Sequence, residues 1–184
     1  MNILVRYKFL FAVLLVFILI QALFFFISPS EIVSSVGIEN SYGIAFLVAL
    51  IGGVSTLTGP VLFATIATFS AGGANPFLLG LVGGLGIFIS NSVFYFLALY
   101  GKKSVSEKWK EKLNAISERI KEKYSKRVIF PLVYLYLSFT PLSDDVLMVG
   151  LVIAGYRYMH IAPLLLLGGI SFATATAFFG NLFV

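Results

Sequence analysis

The sequence predicts an all-α integral membrane domain: an inverted repeat of two units, each a re-entrant helical hairpin plus a transmembrane helix, preceded by one amino-terminal transmembrane helix. Three observations lead there. Of 184 residues, 59% are hydrophobic and 11% charged, against about 45–50% and about 25% in soluble domains. With a mean hydropathy of +1.00, a soluble fold of this size could not hide its apolar surface, so a bilayer is the expected solvent. Ten of the thirteen Lys and Arg lie between Lys102 and Arg127, which marks one cytoplasmic segment. Finally, an apolar segment broken in its middle occurs twice, at Gly43 to Ser70 and at Val128 to Gly155.

Phe9 to Ile27 is an uncharged run of 19 residues behind Arg6 and Lys8, long enough at about 1.5 Å per residue to cross roughly 30 Å of hydrocarbon. It is read as a retained helix and not as a cleaved leader, because Phe25-Phe26-Ile27-Ser28-Pro29 offers no small-residue cleavage site. The following connection carries Glu31 and Glu39 and no cation, as an outer loop would. Gly43 to Ser70 is apolar but interrupted between Gly52 and Pro60, leaving two half-length helices. Pro76 to Tyr100 is a second span. In Gly101 to Arg127, Trp109, Leu113, Ile116, Ile120 and Tyr124 recur every three or four residues, the spacing of an amphipathic helix. Val128 to Gly155 repeats the broken pattern, with its interruption from Thr140 to Asp145, and residues 159–184 form the last span.

Charge parity favours one course for the broken segments, the alternative being a reversed first helix that lets residues 43–70 cross once while misplacing only Arg6 and Lys8. With the amino terminus inside, a single crossing by residues 43–70 would put the basic segment outside, against the positive-inside bias. If that segment enters and leaves by the outer face, and residues 128–155 do the same from the inner face, all thirteen Lys and Arg share one side. The expected topology therefore has the amino terminus and residues 101–127 in the cytoplasm and the carboxyl terminus outside. A single offset of the chain against itself also lays Leu57, Val61 and Leu62 on Leu142, Val146 and Leu147, and Gly83-Gly84 on Gly168-Gly169. Two such units entered from opposite faces make an inverted-topology repeat.

Unwound backbone at membrane depth is tolerated where protein or a water-filled cavity satisfies it. Two facing breaks, near Pro60 and near Asp144, would aim helix amino termini at a central cavity, where an anionic headgroup fits.

The chain resembles the DedA family, also called the VTT or SNARE-associated family, over about residues 43–184. The resemblance rests on Thr58-Gly59-Pro60-Val61-Leu62 with Ala71-Gly72-Gly73 and Tyr95, and on Phe139-Thr140-Pro141-Leu142-Ser143-Asp144-Asp145-Val146-Leu147 with Ala154-Gly155-Tyr156-Arg157. It implies two opposed re-entrant hairpins and movement of phosphate-bearing polyprenyl carriers or phospholipids across bilayers. Many bacterial members carry Pro-Gly-Glu or Pro-Gly-Asp in the first hairpin and Arg-Phe-x-Pro-x-x-Arg in the second. Here the first reads Thr58-Gly59-Pro60 and the second Ser138-Phe139-Thr140-Pro141-Leu142-Ser143-Asp144, so both arginines are replaced.

Asp144 and Asp145 are the only acids inside an apolar segment, where a charge costs about 2.5–3.5 kcal/mol. Adjacent carboxylates repel, which suits a proton or sodium site that couples movement to a gradient; the plainer role is to cap a helix beginning at Val146. Thr56, Thr58 and Ser143 offer hydroxyls to a substrate or to helix ends, and Pro60 and Pro141 hold the breaks. Arg157 is the only cation of the hairpin regions outside the basic segment, suited to a phosphate or to snorkelling at the inner interface. Ser90, Asn91 and Ser92 fit interhelical hydrogen bonds, and Gly80, Gly84, Gly169, Ala173 and Ala177 fit close helix packing. The absence of cysteine and the single histidine, His160, exclude a thiolate or multi-histidine metal centre; no cofactor and no catalytic nucleophile is expected. The competing functions are a small-ion or solute transporter and a non-transporting assembly protein docking through residues 105–124. Nucleic acid is not an expected partner, because the basic segment also carries Glu107, Glu111, Glu118 and Glu122; a homo-oligomer is compatible with the chain.

Overall fold

The computed structural model describes residues 29–52, 59–104, 107–123, 125–140 and 144–182. The first expected span, residues 9–27, lies outside them, as do residues 53–58 and 141–143 of the two expected interruptions, whose flanking residues Gly52, Gly59, Pro60, Asp144 and Asp145 are helical. Eight helices form among the described residues: α1 (Pro29–Val36), α2 (Ile38–Gly52), α3 (Gly59–Ala71), α4 (Pro76–Ser104), α5 (Glu107–Lys123), α6 (Lys126–Phe139), α7 (Asp144–Ile153) and α8 (Tyr158–Asn181). By length and composition α4 and α8 are able to cross a membrane, and α1 with α2 would make a third span bent by 97°.

The region expected as an outer loop is helical. Pro29 opens α1, Glu31 and Glu39 occupy the first turns of α1 and α2, where a carboxylate opposes the positive helix end, and Gly37 at φ +87° turns the chain between them. The break therefore falls at Gly37, and α2 starts ahead of the expected Gly43, which sits within α2 with open space around it. At the other boundary, residues 101–104 belong to α4 and not to the amphipathic helix, with Lys102 and Lys103 in its last turn, a favourable place for cations.

Two turns share one construction. After α3, Gly73 at φ +100° lets Ala74 N–H reach Phe69 C=O at 3.0 Å and Gly73 N–H reach Ser70 C=O at 3.0 Å. After α7, Gly155 at φ +73° lets Tyr156 N–H reach Leu151 C=O and its own N–H reach Val152 C=O, both at 3.1 Å. These are Schellman caps, in which a left-handed glycine satisfies the last carbonyls of a helix. Each is followed within three residues by the start of a long helix, at Pro76 and at Tyr158. The helix starts after the breaks, Gly59 and Asp144, keep the offset that lays Leu57 on Leu142. The turns do not keep it, because α3 has 13 residues and α7 has 10.

The long helices α4 and α8 cross backbone to backbone. A Cβ on Gly84 would stand 2.5 Å from Ile170 Cα, one on Gly169 would stand 3.0 Å from Gly84 C=O, and one on Gly80 would collide with Thr174. Small residues at this spacing allow helices to approach closely in an apolar medium. Around this pair, α2 lies on α4, with Gly86 against Phe46 C=O and Ala49 and Asn75 N–H donating to Tyr42 Oη at 2.9 Å. Likewise α6 lies on α8, with Gly168 against Leu137 and Tyr134 Oη 2.9 Å from Ser171 Oγ. The short α3 packs on α8, through Ala67 against Gly180 and Phe63 with its ring 5.7 Å from that of Phe179; the short α7 packs on α4. Exchanging α2 with α6, α3 with α7 and α4 with α8 maps each of these packings onto another.

Two apolar cores result. One is built around Leu62, Ile66, Leu79, Ile87 and Ala173, the other around Tyr95, Leu137, Met148, Ile161 and Leu165.

The crossing makes a direct prediction. Gly84→Ala drives a methyl into the Ile170 backbone and should destabilise the protein by about 1–3 kcal/mol. Gly150→Ala, with nothing within 4 Å of the new Cβ, should leave the midpoint unchanged or raise it. Thermal unfolding of the two purified variants in detergent checks both.

Candidate functional site

Between the two cores, α4 carries Ser90, Asn91 and Ser92, all buried. Asn91 stands near the middle of the helix that runs from Pro76 to Ser104, which puts about 20 Å of helix on either side. Its Nδ2 donates to Asp144 Oδ2 at 2.8 Å. Asn91 is only 1% exposed, and its Oδ1 and the hydroxyls of Ser90 and Ser138 are buried without a hydrogen-bond partner among the described residues. Asp145 shares the first turn of α7 with Asp144, close enough for the two carboxylates to act on each other, and Tyr136 of α6 is also within electrostatic reach of Asp144. An N–H···O bond to a carboxylate is roughly twice as strong as a neutral one, and deep in apolar surroundings it offsets the loss of water from the charge.

The helix α7 starts at the level of Asn91 and ends at that of Lys102. There Lys102 Nζ donates to Val152 C=O at 3.1 Å and to Ile153 C=O at 3.3 Å, Ser117 Oγ of α5 to Ala154 C=O at 2.9 Å, and Tyr95 Oη to Tyr156 C=O at 2.7 Å. The terminal carbonyls of a helix are its negative end, and here side chains of α4 and α5 hold them and the turn beyond. In consequence α7 is fastened at both ends to the second half of α4.

Of the residues singled out by sequence, Asp144 and Asp145 come together in one turn, and α7 begins at Asp144 and not at Val146. Asp144 is thus a first-turn residue bonded across to α4. Pro60 lies exposed in the first turn of α3. Thr56, Thr58, Pro141 and Ser143 fall outside the described residues. Arg157 precedes α8, beyond the far end of the 10-residue α7, so about 15 Å of helix intervenes along the chain between it and Asp144. His160 is exposed, its ring 6.5 Å from that of Phe130.

The residue that sequence reading undervalues is Asn91. Grouped with Ser90 and Ser92, it reads as a helix-packing residue, and Ser92 fits that role, accepting from Tyr158 Oη at 2.8 Å. Asn91 instead binds the carboxylate itself. The available signal is that Asn91 is the only amide side chain in the uncharged run from Pro76 to Tyr100. Among the described residues no three His, Cys, Asp or Glu come close enough together to hold a metal ion.

Comparison with family models, with curated proteins and with solved structures returns no match to this chain.

The pair predicts a coupled pattern of stability. Asn91→Leu strands the Asp144 charge and should cost about 1–3 kcal/mol; Asp144→Asn, which keeps an acceptor, should cost less. Asn91→Leu combined with Asp144→Leu should recover most of the loss, since neither partner is then left alone. Denaturant unfolding of the wild type, the two single leucine variants and the double variant gives the interaction energy.

Proposed function

We propose that the chain moves a lipid with a phosphate-bearing headgroup, a polyprenyl phosphate carrier or a phospholipid, across a membrane, with Asp144 and Asp145 coupling the movement to a proton or sodium ion. The observation that carries this reading is the Asn91–Asp144 bond. It joins the start of a half-length helix to the middle of the longest span, in the layer between two apolar cores, and an ionisable group at such a depth has a functional role by default.

In this reading α2 with α3, and α6 with α7, are re-entrant hairpins of an inverted repeat. Support comes from the packing that maps onto itself when the halves are exchanged, and from the levels at which the short helices begin and end. The segment 126–153 follows the basic helix α5 and finishes pinned to Lys102, which supports entry and exit at one end of α4. Its counterpart, residues 38–71, begins and finishes near Asn75, where Tyr42 accepts from that residue. The lipid headgroup would travel between the two breaks while its chains stay in the hydrocarbon. The DedA resemblance adds the substrate class.

The coupling follows from the same bond. Ionised, Asp144 holds α7 against α4 by a charge-assisted hydrogen bond; protonated or ion-bound, it holds less tightly, and α7 is free to shift. An ion that binds the two arrangements unequally biases their populations by that difference.

Reconstitution in liposomes tests the proposal. The wild type should equilibrate a fluorescent phosphate-bearing lipid between leaflets, and Asp144→Asn should reduce the rate to that of protein-free liposomes while the protein still elutes as a folded species. Unchanged transport in Asp144→Asn and in Asp145→Asn would remove the carboxylates from the mechanism. Tracer ion flux in liposomes without any phosphate-bearing probe would instead identify a small-ion transporter.

A further inference from the structure

The turn from α7 to α8 closes one side of a second feature, remote from the carboxylates. Beneath it, between the last turns of α4 and the helix α5, lies a cavity of about 580 Å³, within the range of roughly 300–1,000 Å³ typical of small-molecule sites. Its lining includes three cations, Lys102, Lys103 and Arg157, and three aromatic side chains, Tyr95, Phe96 and Tyr158.

The lining side chains are of two kinds. Among the described residues no carboxylate lines the cavity. The side chains of Lys103 and Arg157 make no hydrogen bond or ion pair with a described residue, whereas Lys102 is held in position by Val152 and Ile153. Arg157 precedes α8 in extended backbone conformation and gives the helix no side-chain cap. The amino-terminal N–H groups of a 24-residue helix thus add their partial positive charge on the same side, an arrangement suited to an anion. The Tyr158 ring packs tilted against those of Phe96 and Tyr95, at centroid distances of 4.8 Å and 5.5 Å, and Phe96 is 49% exposed, so this aromatic group opens outward at Phe96.

A cationic edge beside an outward-facing aromatic wall, at the basic end of a membrane-length helix, matches a molecule that is anionic at its head and apolar behind it. Aromatic and basic side chains gather at this level of a bilayer. We infer that this cavity binds the phosphate headgroup of an anionic lipid from the leaflet on the basic side, with Lys103 and Arg157 contacting the phosphate and the aromatic wall receiving the glycerol and upper chains. The site does not depend on the translocase reading, because it contains none of the carboxylate machinery.

Native mass spectrometry and thermal shift of the purified full chain, with dioleoyl phosphatidic acid as the probe, test the inference. Dioleoylglycerol serves as the phosphate-free lipid, and inorganic phosphate and glycerol 3-phosphate as the lipid-free anions. Phosphatidic acid should bind and raise the unfolding midpoint where the other three do not. Lys103→Gln with Arg157→Gln should weaken its binding about thirtyfold. Asn114→Trp, which fills the cavity from α5 without changing charge, should weaken it as well. Lys108→Gln with Arg119→Gln, two α5 cations that do not line the cavity, should not, and Asp144→Asn should still bind. Phosphatidic acid binding that persists in both cavity variants would overturn the site. Binding of inorganic phosphate or glycerol 3-phosphate as tightly as the lipid would overturn its assignment to a membrane headgroup.

Discussion

The bond between Asn91 and Asp144 sets the placement of everything around it. A carboxylate at the level of a long apolar helix's midpoint must find a donor, and an amide buried there must find an acceptor. Each meets the other's need. The pairing fixes the height at which α7 begins, and since α7 is only 10 residues long, it also fixes where α7 ends. Lys102 and Ser117 hold the carbonyls at that end, and Tyr95 holds the one just beyond, which brings the amphipathic helix α5 and the turn into α8 to the same place. A bistable element needs contacts that can be broken singly. Here one end of α7 is tied by several bonds to carbonyls and the other by a bond to a carboxylate, so in the proposed mechanism the Asp144 end is the one an ion would release.

Much of the architecture was legible in the sequence because membrane-length apolar runs leave few alternatives. The helices α4 and α8 appear within a few residues of their expected bounds, and the glycines Gly80, Gly84 and Gly169 sit where close packing requires them. The helix from Glu107 to Lys123 follows from its three-to-four-residue periodicity. What the sequence hid were features set by a single residue's backbone angle. Gly37 looked like one more loop residue between acids, yet its positive φ permits helix on both sides and a sharp bend between them. The shortening of the second unit between its break and its Schellman turn could not be read from leucine matches in so apolar a chain.

The candidate site was half legible. Acids within apolar sequence announce themselves by their cost, so Asp144 and Asp145 stood out. Their partner did not, because an asparagine in a span is equally well explained by helix packing and only the fold reveals which helix end comes to meet it. Arg157, suited by sequence to a phosphate or to the inner interface, lies beyond the end of α7 that is remote from the carboxylates. It joins instead Lys102 and Lys103, far earlier in the chain, which no local pattern could bring together.

In the proposed topology two chain segments dip into the membrane from opposite faces and return. The chain contains no cysteine, so single cysteines introduced at Ser35, Phe77, Ser125 and Met159 can be labelled with a membrane-impermeant maleimide in right-side-out and inverted vesicles. Ser35 and Phe77, which bracket the first segment, should label from one face, and Ser125 and Met159, which bracket the second, from the other. If the members of either pair label from opposite faces, that segment crosses the membrane and the account is wrong.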